Sequence, residues 1–241
     1  MKKLFLLFLL LSNLSFGQDF ITKWTFSSGS ANIQFNALTT ADPVNYTYTL
    51  SSGGSGSGSF TKSAPGFVSL PINISAGTSV TLSFEPINLR RFYINDFPQK
   101  TNLMEVSQWG STSWTSMADA FRGCSNFNIT AADVPDLSAV TDMSSMFEGA
   151  TLFNSDISTW ETSNITNMAY MFESATTFNQ NIGGWNTSNV SYMHGMFFNA
   201  SLFNQDIGLW NTNNVIRMDD MFHNATSFNQ DIGFWNTSNV T

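Results

Sequence analysis

The chain has 241 residues, of which 42% are hydrophobic and only 11% are charged, and its formal net charge is -8 at pH 7. The hydrophobic fraction is sufficient for a packed core in a chain of this length, whereas the shortage of Lys and Arg argues against a nucleic-acid or anionic membrane partner, because phosphate binding needs clustered cations. The single cysteine, Cys124, excludes an intramolecular disulfide, so the fold must depend on packing.

Residues 1–17 have the pattern of a secretory signal peptide. Two lysines precede an apolar run from Leu4 to Leu11, and a small-residue cleavage site lies directly before Gln18. The segment is too short to span a bilayer. We therefore expect an exported mature chain that is not inserted in a membrane and is either secreted or held at a bacterial cell surface.

Residues 18–101 predict a small all-β, sandwich-like domain. Their apolar residues occur in short runs separated by Gly, Ser and Pro, which is typical of strands joined by turns. The Gly- and Ser-rich tract Ser51–Ser59 has the composition of a linker. Because β-like runs flank it, we favour a flexible hairpin loop inside the domain. The predicted strands are Phe20–Phe26, Val44–Leu50, Phe67–Ile74, Ser79–Phe84 and Arg91–Ile94.

Residues 102–241 are organised as a repeat of 25 residues. The segments 176–200 and 201–225 agree at 15 of 25 positions without a gap. This periodicity is typical of stacked repeat units rather than of a globular enzyme. We expect about five and a half coils, with atypical first coils. The last coil stops before its Met and Phe positions and lacks a polar outer face, so the sequence predicts that the array continues past Thr241 and that Phe222, Phe228 and Trp235 are uncovered here.

Each coil is predicted to contain one short helix and one short strand, which gives an α/β solenoid of leucine-rich-repeat type. Apolar residues from Val190 to Ala200 are spaced by three and four, as on one face of a helix of about three turns. The segment Phe178–Ile182 contains poor helix formers and predicts a short extended stretch. Nine of the eleven methionines lie in the helical stripe. A Met-rich stripe can also bind promiscuously, but the regular period favours a core role.

The coil pattern W-N-T-S-N-V-x-x-M-x-x-M-F-x-x-A-x-x-F-N-Q-D-I-G resembles that of the BspA-like bacterial surface proteins, whose divergent leucine-rich repeats are about 25 residues long. The segment Ala120–Phe127 is similar to the A-F-x-x-C-x-x-L core of the treponemal type of these repeats. The preceding domain is similar in position to immunoglobulin-like or PKD-like modules, although it lacks a W-G-D-G motif. The resemblance implies a role in adhesion or protein interaction and implies no catalytic residues.

Few residues offer catalytic chemistry. Cys124 occupies the position that alanine has in the later coils, where a small inward side chain fits. His194 and His223 lie at different positions of their coils and have no ligand-spaced partners. A polysaccharide lyase would need a basic cluster, whereas the array contains only Arg122 and Arg217. We therefore expect no enzyme activity, no cofactor and no metal site built on these residues.

Two polar columns recur along the array. The asparagines at 154, 179, 204 and 229 are predicted to satisfy backbone groups between coils. A second column contains Asp156, Asp206 and Asp231, with Asn181 in the same position. Its oxygens could bind Ca²⁺, although a structural role is the simpler interpretation.

A stack of coils presents a long surface on which a few positions vary around a constant core. This arrangement favours a module that binds extracellular proteins, although neutral drift on a solvated face would give the same variation. The alternative is a glycan partner: Tyr170 and Phe198, or Leu209 and Phe234, could form apolar platforms for sugar rings in a carbohydrate-binding module. The candidate binding residues are Tyr170, Glu173, His194, Phe198, Asp219, Asp220 and His223.

Overall fold

The computed structural model describes residues 17–95 and 97–241, and its regular secondary structure is almost entirely β. The predicted signal peptide, apart from Gly17, lies outside the described residues. A 3₁₀ helix spans Pro98–Asn102, and none of the described helices has the length and apolar character of a membrane span. The strands are β1 (Phe20–Phe26), β2 (Ile33–Thr39), β3 (Val44–Leu50), β4 (Ser55–Phe60), β5 (Gly66–Leu70), β6 (Thr78–Phe84), β7 (Leu89–Tyr93), β8 (Leu103–Gln108) and β9 (Asn128–Ile129).

The first seven strands and β8 form a sandwich around an aromatic core. One sheet has the order β4-β3-β6-β1-β8-β9, and the other has the order β5-β2-β7. Alternate residues of β1, β2 and β6 are buried, because successive side chains of a strand point to opposite faces. Between the sheets, the ring of Phe35 lies 5.5 Å from that of Phe84, and the ring of Phe20 lies 5.3 Å from that of Phe92.

Two of the predicted strands, β1 and β3, begin and end at the residues predicted from their alternation. The hairpin loop predicted at Ser51–Ser59 is only partly correct, because β4 begins at Ser55 and pairs antiparallel with β3. The rings of Tyr48 and Tyr46 fill the space that a Cβ atom would need at Gly56 and Gly58. Packing of tyrosine on glycine therefore supports a strand in a segment whose composition alone predicts flexibility.

Strand β8 belongs to both the sandwich and the repeat array. It pairs antiparallel with β1 and parallel with β9, which lies in the first coils. Directly after β8, the ring of Trp114 lies 4.9 Å from that of Phe20 in β1. The guanidinium of Arg91 in β7 donates a 2.8 Å hydrogen bond to the carbonyl oxygen of Ala118. The sandwich thus covers the first coil, which is the role that a capping unit has in a repeat protein.

The prediction of an α/β solenoid with a helix and a strand in every coil is wrong. Residues 109–241, all of which the structure describes, contain no helix, and β9 is their only strand. Where a short strand was predicted, at Phe178–Ile182, the backbone has no strand pairing. The bridges between coils in this part are isolated and parallel: one joins Ser113 to Asp136, and a series joins Asp142, Asn167, Tyr192 and Arg217.

Hydrogen bonding explains why the apolar stripe is not helical. In an α-helix every N–H donates to the carbonyl four residues earlier. Here alternate N–H groups donate instead to the next coil, as Gly195 does to Asp219 at 2.9 Å, and the intervening groups close four-residue turns, as Phe198 does to Gly195 at 3.0 Å. Consecutive turns place apolar residues three and four apart, so they produce the spacing that a helix also produces.

Two positions in each coil have a left-handed backbone, which an α-helix of L-residues does not tolerate. Their φ angles lie between 54° and 72°. From Asp119 to Asn199 the N–H groups at these positions donate to the next coil, so the left-handed residues turn the backbone toward that neighbour. The first position is Asp119, Ser145, Tyr170, Gly195 and Asp220, and the second is Gly123, Gly149, Ser174, Asn199 and Asn224.

Aromatic ladders fill the core of the array. The rings of Phe172 and Phe197 are stacked 5.6 Å apart between coils, and those of Phe172 and Phe178 are stacked 4.0 Å apart within one coil. Trp185 is 4% exposed and Met196 is fully buried, so the predicted inward orientation of these columns is confirmed. The indole of Trp185 donates to the Ile157 carbonyl oxygen at 3.1 Å. At the end of the array Phe222, Phe228 and Trp235 are only partly buried, as the sequence predicts.

Candidate interaction surface

The variable columns of the array meet on one face, which we call the variable face. It consists of the exposed and half-buried residues that follow each inter-coil bridge, from Asn167 to Glu173, Tyr192 to Phe198 and Arg217 to His223. The backbone of this face is fixed by the turns and inter-coil hydrogen bonds described above. Its side chains can therefore differ between coils without changing the core.

An aromatic cluster lies at the centre of the variable face. The imidazole of His194 contacts the rings of Tyr170 and Tyr192 edge-on, with centroid distances of 4.8 and 6.2 Å. Both tyrosines are 38% exposed. The ring of Tyr170 lies over Gly195, in the space that a Cβ atom would occupy. A glycine in one coil thus positions the aromatic residue of the coil before it.

An ion pair borders this cluster in the next coil. The guanidinium of Arg217 donates two hydrogen bonds to the carboxylate of Asp219, at 3.0 and 2.9 Å. Tyr192 and Arg217 were not among the candidates predicted from sequence. The signal was present, because their column reads Asp142, Asn167, Tyr192 and Arg217 and therefore varies at every coil.

The other predicted residues form a second group on the same face. The rings of Phe198 and His223 are stacked 4.6 Å apart. In the same column, Glu173 follows Glu148, whose carboxylate forms a 2.7 Å ion pair with Arg122. The structure therefore places Tyr170, His194 and Asp219 in one group and Glu173, Phe198 and His223 in another. Asp220 is exposed at a left-handed position beside a cavity of about 400 Å³ lined by Met218, Phe222 and Trp235.

Burial shifts the titration of both groups. It lowers the pKa of His194 from its ordinary value, and the nearby positive charge of Arg217 lowers it further. Within the described residues the Nδ1 atom of His194 has no hydrogen-bond partner. Burial also raises the pKa of Glu173, and repulsion from Glu148 adds to that effect. His194 is thus mainly neutral near pH 7.

The polar columns have structural roles. The side-chain oxygen of Asn154 accepts from the backbone N–H of Asn179 at 2.9 Å, and the same bond recurs in the next two coils, so the prediction for the asparagine column is confirmed. In the aspartate column, the carboxylate of Asp206 accepts from the N–H of Gly208 at 3.0 Å, as in an Asx turn. Among the described residues, no group of three His, Cys, Asp or Glu side chains could hold a metal ion.

The remaining candidates lie apart from the variable face or are inaccessible. Leu209 and Phe234 occupy the same position in successive coils and are 89% and 86% exposed. Cys124 is fully buried, and that burial raises the pKa of its thiol well above the ordinary range. A thiol that stays protonated is a poor nucleophile, so the arrangement around Cys124 does not support catalysis.

Comparison with known proteins identifies a family for the array. A family described as Mycoplasma protein of unknown function, DUF285, matches residues 93–199 and 181–241. The chain belongs to the DUF285 family. The match covers the end of the sandwich and the whole array, so the DUF285 region includes the variable face. Neither the curated proteins nor the solved structures contain a significant match.

Proposed function

We propose that the chain is a secreted or cell-surface protein that mediates adhesion or protein–protein interaction through the variable face. The observation that carries this proposal is the exposed cluster of Tyr170, Tyr192 and His194 beside Arg217. Tyrosine and arginine are enriched where protein interfaces gain most of their binding energy. The coil pattern that resembles BspA-like surface proteins supports the same role, and the N-terminal pattern supports export.

The division between a constant core and a variable face gives further support. From Trp160 onward the columns of Phe, Met and Trp repeat without change, whereas the column that contains Tyr192 reads Asn167, Tyr192 and Arg217 in three successive coils. Because each coil contacts mainly its neighbours, substitutions on this face leave the array intact. A surface of this kind can acquire a new partner without loss of stability.

Coil-swap variants test the proposal. Each replaces a residue of the variable face with its counterpart one coil away, so the backbone at that position already tolerates the new residue. Tyr192→Asn copies Asn167, and Tyr170→Gly copies the left-handed Gly195. Leu209→Gly copies Gly184 and is the matched control, because it removes an exposed apolar side chain elsewhere.

The binding experiment uses the mature chain against a panel of extracellular-matrix proteins and glycans. We expect a protein ligand whose affinity falls at least about tenfold in the two tyrosine variants, as for interface hot spots, and is unchanged in the Leu209 variant. A cooperative thermal melt of each variant shows that the fold is retained. A ligand that binds all variants equally contradicts the assignment of the variable face, and turnover of any polysaccharide contradicts a binding role.

A carbohydrate-binding module is the second candidate. Tyr170 and Tyr192 are each 38% exposed, so their rings are accessible for stacking against sugar rings. Leu209 and Phe234 form another exposed apolar pair. Selective binding of a glycan that is lost in Tyr192→Asn would favour this function. Loss of glycan binding in Leu209→Gly alone would place the glycan site at Leu209 and Phe234.

A further inference from the structure

The sandwich has one sheet edge that lacks the usual protection against pairing. Natural proteins block sheet edges with charged residues, prolines or bulges. The edge strand β5 lies between Pro65 and Pro71, and the edge strand β7 contains Arg90 and Arg91. Strand β4 has the sequence SGSGSF, without charge or proline, and it pairs with β3 without a register shift.

The backbone groups that β4 directs outward can be assigned. The N–H of Leu50 donates to Gly54, and Tyr48 is opposite Gly56. On the other side of β3, the N–H of Ser51 donates to Ser79. Because hydrogen-bonded and non-hydrogen-bonded pairs alternate in an antiparallel ladder, Gly56 and Gly58 direct their backbone groups to β3.

The backbone groups of the odd-numbered residues of β4 therefore point away from β3, toward the open edge of the sheet. Ser55, Ser57 and Ser59 direct their N–H and C=O groups to the free edge, and the three residues are exposed. Among the described residues, none donates to or accepts from these groups outside the strand pairing. They form a regular row of three donors and three acceptors.

We propose that this edge pairs with the same edge of a second copy, so that two sandwiches join through antiparallel β4 strands. The sequence Ser55–Ser59, SGSGS, reads the same in both directions. A two-fold axis at Ser57 places each outward residue opposite an outward residue, Ser57 opposite Ser57 and Ser55 opposite Ser59. Each of these pairs can exchange two hydrogen bonds, and isologous contacts of this type are the commonest in homodimers.

The side chains also fit this pairing. Between the hydrogen-bonded pairs, Gly56 lies opposite Gly58 of the second copy, where the strands approach most closely. No side chain obstructs that approach. The chain has a net charge of -8, but the edge itself carries no charge that would repel its copy. A heterologous peptide strand could use the same groups, yet only a second copy uses the two-fold symmetry of the tract.

The interface is small, and this limits its strength. Five residues of an edge strand bury much less than the roughly 1,600 Å² of a standard stable interface. We expect the isolated chain to dimerise weakly, at high micromolar concentration or above. Chains held close together on one surface would pair more readily, because attachment raises their effective concentration.

Cysteine cross-linking tests the pairing and its register. Ser57→Cys places two thiols across the two-fold axis at a Cα separation of about 5.5 Å, which a disulfide can span. Ser55→Cys alone places the two thiols about 13 Å apart along the strands, whereas a mixture of Ser55→Cys and Ser59→Cys brings them together. The native Cys124 is buried and serves as the background.

We expect mild oxidation to link Ser57→Cys, and the Ser55 and Ser59 mixture, at least about tenfold faster than Ser55→Cys alone. In sedimentation equilibrium, Ser57→Lys should weaken self-association at least about tenfold, since like charges then face each other. Ser69→Lys adds the same charge at an exposed site of β5 and should have no effect.

Three results would overturn the proposal. One is equal linking of Ser57→Cys and Ser55→Cys. The second is a native chain that stays monomeric at millimolar concentration. The third is a dimer that Ser57→Lys leaves intact, which would place the contact elsewhere, for example on the partly buried residues of the last coil.

Discussion

The sandwich and the array satisfy their backbone groups in different ways. In the sandwich, β1 pairs with β6 and β8, so its partners are remote in sequence and every strand depends on several others. In the array, a residue such as Gly195 bonds to Asp219 in the next coil, and each coil repeats the same contacts. Damage in the sandwich should therefore spread, whereas damage in the array should stay near its origin.

The largest effect is expected from the sandwich core. Phe35 is fully buried and packs against the rings of Phe84 and Phe92. Phe35→Ala should lower the free energy of unfolding by about 3 to 5 kcal/mol. Phe84 lies in β6, which pairs with β1, and β1 pairs in turn with β8 beside the first coil. Hydrogen exchange should therefore also increase in the first coil. Thr47→Ala on the exposed face of β3 is the control, and equal losses from the two substitutions would contradict the division into core and surface.

Met196→Ala tests whether damage stays local in the array. The side chain is fully buried in the Met column, and its removal should cost about 2 to 5 kcal/mol. Hydrogen exchange should increase in that coil and its two neighbours, while the sandwich stays protected. The half-buried His194→Ala, two residues away, should cost little. Loss of protection across the whole chain would mean that the array and the sandwich unfold as one unit.

Gly195→Ala tests the left-handed positions that exclude a helix. Gly195 has a φ of 61°, and a Cβ atom there would meet the ring of Tyr170. The substitution should cost about 1 to 2 kcal/mol from the backbone alone, with a further loss from displacement of the tyrosine. Gly184→Ala in the same coil is the control, since a Cβ atom at Gly184 meets no atom within 4 Å. A thermal melt that shows no difference between the two variants would contradict this account.

The contribution of Glu173 to the stability of the fold should depend on pH. Burial and then Glu148 raise its pKa in the folded chain. Its unfavourable effect on stability is therefore absent well below the unfolded-state pKa and develops as pH rises through the folded-state pKa. Glu173→Gln should raise stability at neutral pH by less than about 1 kcal/mol, since solvent screens the pair, and should have little effect near pH 4. Glu161→Gln, at an exposed position, is the control; a gain that is the same at both pH values would exclude this mechanism.

The smallest effect on stability is expected from the removal of metal ions. Asp206 accepts from the N–H of Gly208 within its own turn, and Asn181 does the same for Gly183 one coil earlier. Chelator should leave the melting temperature unchanged, and Asp206→Asn should be nearly neutral. Asp206→Ala should cost about 1 kcal/mol, the usual value of one hydrogen bond. A chelator-dependent drop in melting temperature that Ca²⁺ reverses would instead assign a metal to this column.

Part of the candidate site could be predicted from sequence. Seven residues of the variable face follow from comparison of adjacent coils, and the column of Tyr192 and Arg217 varies in the same way. Only the contacts show that these two residues lie against His194 and Asp219. The division of the face into two groups also depends on side-chain packing. Variation along a column shows which positions are free to change, whereas only the fold shows which of them touch.

The sequence by itself determined the period of the array, the inward orientation of its Phe, Met and Trp columns, and the strands β1 and β3. These features follow from spacing and alternation, which act within a few residues or at a fixed repeat. The tertiary structure decided between a helix and consecutive turns, because an apolar spacing of three and four is compatible with both. The choice depends on whether an N–H such as that of Gly195 bonds within its own coil or to Asp219 in the next. The same dependence on a neighbour makes β4 a strand, since the rings of Tyr46 and Tyr48 cover its glycines.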